Sequence, residues 1–362
     1  MMKNFVFLVL IIFLFSCVVN KEKVELNFLD EYILADSLSF SNTIIGGLSG
    51  LDFTNNQYYF VVDDARNPRI LIGNINIEND KILNVGFSKV VLLNDTLSKF
   101  YSQNILDLES VFMDEKTEEI YLVSEGSINK EKLPTVFKTD KNGKFLESFE
   151  LPKNLSNLHT IKHNAVFEGS SKSFDSKGFW VTMEAPLKVD GEEPSFKKQS
   201  SPIRITYFDK SSKKATKQFA YQLEHISKPS SGSINLNGVT AILEFKENHF
   251  FVLERAYQNE FGSYGNTIRI FEAIIDEATT NILEIDSLKS TKFKTLNKRL
   301  LLDFDVIKNK LTDKIIDNIE GITFGPTLSN GNKSLILISD DNFQIYGKQL
   351  NQFILLEIKE NK

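Results

Sequence analysis

One phrase recurs five times along the chain, and it constrains the fold more than any single motif does. Each copy places a polar or acidic residue and a small residue at the opening of an apolar strand. A second apolar strand follows and ends in acid. The copies open with Leu48-Ser49-Gly50-Leu51, Leu108-Glu109-Ser110-Val111, Phe167-Glu168-Gly169, Leu236-Asn237-Gly238-Val239 and Ile319-Glu320-Gly321-Ile322. Their second strands close at Asp63-Asp64, Glu125, Glu184, Glu254-Arg255 and Asp340-Asp341. Such self-similarity names a repeat architecture before any element is assigned. The polar positions lie 60, 59, 69 and 83 residues apart, against about 40–45 for a compact propeller repeat, so the connecting loops are long.

Within each of the first four repeats a second hairpin can be read. Arg69–Ile77 pairs with Ile82–Leu93, Thr135–Thr139 with Lys144–Leu151, Ile203–Phe208 with Thr216–Leu223, and Thr267–Ile275 with part of Asn281–Leu288. Asp, Asn, Gly and Ser at the corners suit hairpin turns. Two hairpins make a four-stranded blade, so the chain is expected to be an all-β propeller with five readable blades. A sixth blade could lie in the longest interval. The fifth repeat lacks an outer strand, and Val24–Leu34 is the apolar segment free to supply it and close the ring. One departure from β structure is expected: Phe304, Ile307, Leu311 and Ile315 have the spacing of a short amphipathic helix.

The chain has 362 residues, a net charge of −6 and no long basic run, which argues against nucleic-acid binding. Residues 1–16 read as a signal peptide: Lys3, then an apolar stretch from Phe5 to Phe15 too short to span a bilayer. Leu14-Phe15-Ser16-Cys17 resembles a lipobox, and Cys17 is the chain's single cysteine. Cys17 is therefore the expected lipidation site, with residues 17–25 a tether and 26–362 one domain. The expected product is an exported monomer anchored to a bacterial membrane, at the outer membrane or cell surface.

In a propeller the strand opening each blade lines the central channel, so Ser49, Glu109, Glu168, Asn237 and Glu320 are expected to converge. Two carboxylates about 4 Å apart repel by roughly 4 kcal/mol at an effective dielectric near 20. A cluster of them needs a cation, basic partners or bound protons. Three readings stay open: a calcium site built from carboxylate, amide and hydroxyl oxygens, acids that lock neighbouring blades, and proton transfer without metal. The strand-end acids form a second, outer set, from which Asp63, Glu184 and Asp340 are the candidate catalytic groups. Arg66 and Arg255 are the candidate anion clamps. His159 and His163 read as loop residues, and no Gly-x-Ser-x-Gly elbow is present.

These phrases, together with Asp63-Asp64, Ser124-Glu125-Gly126, Met183-Glu184-Ala185-Pro186-Leu187, Leu253-Glu254-Arg255 and Ser339-Asp340-Asp341-Asn342, resemble a known family. It is the secreted bacterial phytase-like domain, described as "esterase-like activity of phytase". The resemblance runs from about Ile45 to Phe343 and implies a propeller, export and a hydrolase-like activity. The leading expectation is a metal-dependent hydrolase of phosphoester or carboxylic ester bonds. The Glu-Gly blade openings also resemble those of calcium-dependent gluconolactonase and paraoxonase propellers, which implies calcium. A reading from a different class remains beside it: a non-catalytic surface module binding a glycan, peptide or protein at the propeller rim.

Overall fold

In the computed structural model, which describes residues 23–95, 97–261 and 265–361, the five phrases become the innermost strands of five blades. Blades 1 to 4 run outward in chain order. They begin at Leu48–Thr54, Leu108–Met113, Phe167–Lys172 and Asn235–Lys246, and each adds three antiparallel strands. Blade 5 begins at Ile319–Phe324 and continues through Lys333–Ser339 and Asn351–Asn361. Its outermost strand is Lys23–Leu34, from the other end of the chain, paired antiparallel with Asn351–Asn361. The expected closure is therefore present, and the described residues form no sixth blade.

Burial explains why the closing strand docks. Val24, Leu26 and Leu34 are buried, and Asn27 donates to the Glu357 carboxylate at 3.1 Å. Between blades the contacts are mainly aliphatic and aromatic. At the junction of blades 2 and 3, Phe179 packs on Phe112, Phe149 and Phe208 at centroid distances of 5.2, 4.9 and 5.4 Å. Each such pair contributes about 0.5–1.5 kcal/mol beyond its buried area.

The small residue in the phrase has a steric origin. A Cβ on Gly50 would lie 2.6 Å from the Glu109 carbonyl oxygen, and one on Gly169 would lie 2.7 Å from Ala241 Cα. Bare backbone lets neighbouring inner strands approach. All five contribute to a constriction of about 10 Å³ on the channel axis, lined by Ser49, Glu109, Gly169, Thr240 and Glu320 among others.

Two local expectations are corrected. The strand Asn266–Ile274 pairs with Asn297–Asp303, not with residues 281–288. That intervening segment instead folds over blade 3. The Ile282 amide donates to the Gln218 carbonyl at 2.7 Å, and the Leu288 amide to Asp190 Oδ1 at 3.0 Å. The buried Arg204 guanidinium bonds Asp190 through two nitrogens, at 2.6 and 2.8 Å, and donates to the Ile285 carbonyl at 2.9 Å. This buried pair gives the insert partners that a fourth strand would not use. The expected amphipathic helix is a run of 3₁₀ turns at Phe304–Val306, Lys308–Lys310 and Thr312–Lys314. Asp313 has φ 52° and Lys314 φ 57°, which a helix cannot accommodate. Phe304, Ile307, Leu311 and Ile315 are buried all the same.

Candidate active site

A bulge sets the site. In blades 1, 2, 3 and 5 the pairing of the first two strands shifts at Ser49, at Glu109, at Glu168-Gly169 and at Glu320. An unpaired bulge residue is free to turn its side chain toward the axis. In blade 4 the shift comes later, between Val239 and Ala241, so Thr240 is the bulge residue. Two further observations support this alignment. Ser49 Oγ donates to the Leu108 carbonyl at 2.7 Å, and Thr240 Oγ1 donates to the matching Ile319 carbonyl at 3.1 Å. Gly169 also packs against Ala241, as Gly50 packs against Ser110.

The expected place for Asn237 is thereby corrected. It lies three residues before Thr240, and its amide donates to Glu254 Oε2 at 2.9 Å and to the Glu224 carbonyl at 3.0 Å. The inner ring is Ser49, Glu109, Glu168, Thr240 and Glu320. Shifting the alignment likewise makes Arg255, paired just past Val239, the counterpart of Asp63, Glu125, Glu184 and Asp340. One strand end in five thus carries a cation.

The strand-end acids divide into two groups. Asp64 is tied to the buried Arg69 at 2.8 Å. Glu254 accepts from Tyr221 at 2.6 Å and Lys298 at 2.8 Å. Asp341 accepts the Gly47 amide at 2.8 Å and Asn351 Nδ2 at 2.9 Å. These three hold blades and loops together. Asp63, Glu184 and Asp340 instead feel the charge of the inner-ring Glu320, and Glu125 raises the inner-ring Glu109 and Glu168.

On one flank of the channel, oxygens of Asp63, Asp107 and Glu109 all lie within 4.8 Å of one another. Asp107 escaped the sequence reading because it stands before the repeated phrase. No local pattern marks it: Asp107 precedes the strand Leu108–Met113, and the bulge at Glu109 interrupts the alternation that would otherwise relate the two. Beside them Glu125 is only 5% exposed, and its Oε2 has no hydrogen-bond partner. Burial, a hydrogen bond to Asp107 and the charges of Asp107, Asp340 and Glu320 push Asp63 up to about 10. Burial and the charges of Glu168, Asp63, Glu125 and Asp107 raise Glu109 well above the carboxylate range. Burial, then Glu184 and Asp107, push Glu125 up to about 8.

On the opposite flank Arg255 supplies the counter-charge. Its guanidinium bonds Glu320 and Asn318 and meets Glu184 Oε1 at 3.3 Å, while Asn318 Nδ2 donates to Glu320 Oε1 at 2.9 Å. Burial still raises Glu184, to about 7, against the pull of Arg255. Burial dominates Glu168 and Asp340 too, and both stand well above the ordinary range. A pocket of about 600 Å³ opens here, with Glu184, Arg255, Asn318 and Glu320 on its lining. Arg66 does not share it: this residue is exposed on the loop between Asp64 and Arg69. His159 and His163 are also exposed. The expected signal peptide, residues 1–16, and Cys17 lie outside the described residues.

Oxygen donors alone form the first flank, and hard divalent cations prefer such donors. The close triad and the orphaned Glu125 oxygen fit a cation in the calcium class better than a soft metal, which would call for Cys or His. The second flank combines a carboxyl titrating near neutrality with a guanidinium and an open pocket. That combination suits proton transfer next to a developing negative charge.

A model of the phytase-like family, described as "esterase-like activity of phytase", matches residues 43–343. No curated protein matches the chain. Among solved structures, a thermostable family-43 glycoside hydrolase is similar at a TM-score of 0.45 and 9% identity, covering 89% of this chain and 92% of its own. A putative oxidoreductase (glucose dehydrogenase) from Thermus thermophilus is similar at a TM-score of 0.37 and 7% identity, covering 87% and 84%.

Proposed function

This chain belongs to the phytase-like family, and from that premise we propose that it is a calcium-dependent hydrolase of phosphoester or carboxylic ester bonds. The observation that carries the reading is the Asp63, Asp107 and Glu109 triad within 4.8 Å, across the channel from Arg255 and its pocket. Those three residues would hold the ion, with Glu125 beside them. Calcium bound there would polarise the ester oxygen that accumulates negative charge.

The chain's own groups divide the remaining work. Glu184, with its proton affinity near neutrality, takes a proton from the attacking water and returns it to the leaving oxygen. Arg255, fixed by Glu320 and Asn318, presents positive charge toward the pocket. Burial favours the neutral form of Asp340 and Glu168, which lowers the negative charge that would repel an anionic substrate. Asp63 accordingly moves from the catalytic set to the ion-holding set, and Glu184 is the base.

The location is part of the same proposal: export through the leader and retention by lipid on Cys17. Exchange of Cys17 for serine should release the protein from membranes. The hydrolase is tested by metal analysis of purified protein and by assays on phosphate, carboxylic and lactone esters with and without chelator. Bound calcium with chelator-sensitive turnover supports it; absence of both refutes it.

A further inference from the structure

We propose that the pocket beside Arg255 receives an apolar group, so that the preferred substrates are carboxylic esters carrying an aromatic or branched apolar part and not polyphosphates. This rests on the hydrolase reading above and narrows its substrate class.

The wall of the pocket is a consequence of the blade 4 register. Because the bulge falls at Thr240, the strands Asn235–Lys246 and His249–Gln258 extend beyond the acid ring. Their projecting ends bring Leu236 and Tyr257 to the pocket lining, next to Ile234. Across from them Tyr346 reaches in from the loop after Asp341. These four side chains are 52%, 36%, 45% and 82% exposed, respectively. The rest of the lining is mainly polar and includes the amides of Gln258, Asn259, Asn266, Asn318, Asn342 and Gln349, so these four side chains form one apolar wall. Exposed apolar groups beside a concavity mark a ligand site, because a ligand removes that surface from solvent. A volume of about 600 Å³ lies within the range of small-molecule sites.

The side-chain charge of the pocket disfavours a polyphosphate. Of the lining residues, Glu184, Glu260 and Glu320 are acidic, and only Arg255 and Lys348 are basic. Arg255 is already engaged by Glu320, Glu184 and Asn318. That leaves Lys348, whereas tight binding of several phosphates calls for a set of free Arg and Lys groups. A neutral carboxylic ester needs only one stabilised oxygen. In its hydrolysis the water oxygen bonds to the acyl carbon, and a water proton passes to Glu184. The acyl–oxygen bond then breaks, and the leaving alkoxide takes that proton, giving a carboxylic acid and an alcohol.

The test pairs binding with turnover in the full chain. Binding of 2-naphthol and of inositol hexakisphosphate is measured by calorimetry, and hydrolysis is measured on 2-naphthyl acetate. Both use the wild type, Leu236→Asp and Tyr346→Ser, exposed positions whose folding is checked by melting temperature. Naphthol should bind, with affinity falling about tenfold in Leu236→Asp, and KM for the acetate should rise by a similar factor with kcat little changed. Naphthol binding that weakens in the variants, with no acetate turnover by the wild type, supports the apolar site and overturns the carboxylic ester as its substrate. Acetate turnover with KM and naphthol affinity unmoved in both variants overturns this inference and leaves the hydrolase standing. Tighter binding of hexakisphosphate than of naphthol, lost in Lys348→Ala, also overturns it.

Discussion

Replacing Arg255 with glutamine should destabilise the protein by an amount that depends on pH. The guanidinium bonds Glu320 and Asn318 and sits 3.3 Å from Glu184 Oε1. Removing one partner from a buried charge cluster costs about 3–5 kcal/mol, because the charges left behind are uncompensated. That cost applies only where the acids are ionised. Burial raises Glu184 from 4.5 to about 7 even with Arg255 lowering it. A raised carboxyl keeps its proton in the folded state after the unfolded chain has lost it. Stability is thus fully present below about 4.5 and is lost as pH climbs toward and through 7. Without Arg255 that decline must be steeper and continue to higher pH. Urea denaturation in chelator at about pH 5, 6, 7 and 8 would show a loss of about 3–5 kcal/mol at the alkaline end and less than half of it at pH 5. An equal loss at all four pH values would refute the idea that Arg255 balances ionised carboxylates.

Other consequences can be checked separately. Arg204→Met should cost about 3–5 kcal/mol by stranding the buried Asp190, and proteolysis should then cut within residues 275–296. Gly169→Ala should cost about 1–3 kcal/mol, since its Cβ would press on Ala241 across the blade junction; a melting temperature equal to wild type would contradict that packing. Burial opposes the charge of Glu357, yet Asn332, Asn27 and Asn330 hold it down at about 2. Its stabilisation is present above about 4.5 and disappears as pH falls through 2, so Glu357→Gln should lower stability by roughly 2 kcal/mol at pH 7 and by less in acid. The closing strand should loosen first, which hydrogen exchange at Val24–Phe28 would detect.

Much of the ring was legible because its determinants are local and repeated. A small residue that admits the neighbouring blade, a polar or acidic residue at the bulge and an apolar pair of strands all fall within one short phrase. The unpaired fifth blade also pointed to Val24–Leu34 as its outer strand. Blade 4 misled the reading because Leu236-Asn237-Gly238-Val239 imitates the phrase, while the residues in register are Val239-Thr240-Ala241-Ile242. There alanine stands where glycine was sought, and threonine where an acid was. The same shift hid the position of Arg255 as the cationic member of an otherwise acidic set. Asp107 was missed because the metal-like geometry comes from two residues flanking Leu108 plus a strand end 44 positions away, a convergence that only the fold creates. Pairing of Asn266–Ile274 across a long insert was illegible for a related reason: the insert's apolar residues serve blade 3.

The triad of Asp63, Asp107 and Glu109 is where the ion must bind. Calorimetric titration of calcium into chelator-stripped protein, with Asp63→Asn/Glu109→Gln as the comparison, addresses it directly. The prediction is about one ion per chain, bound with release of protons because buried carboxyls must ionise to ligate it, and no binding in the double variant. No calcium binding to the wild type, or equal binding to the folded double variant, would contradict the account.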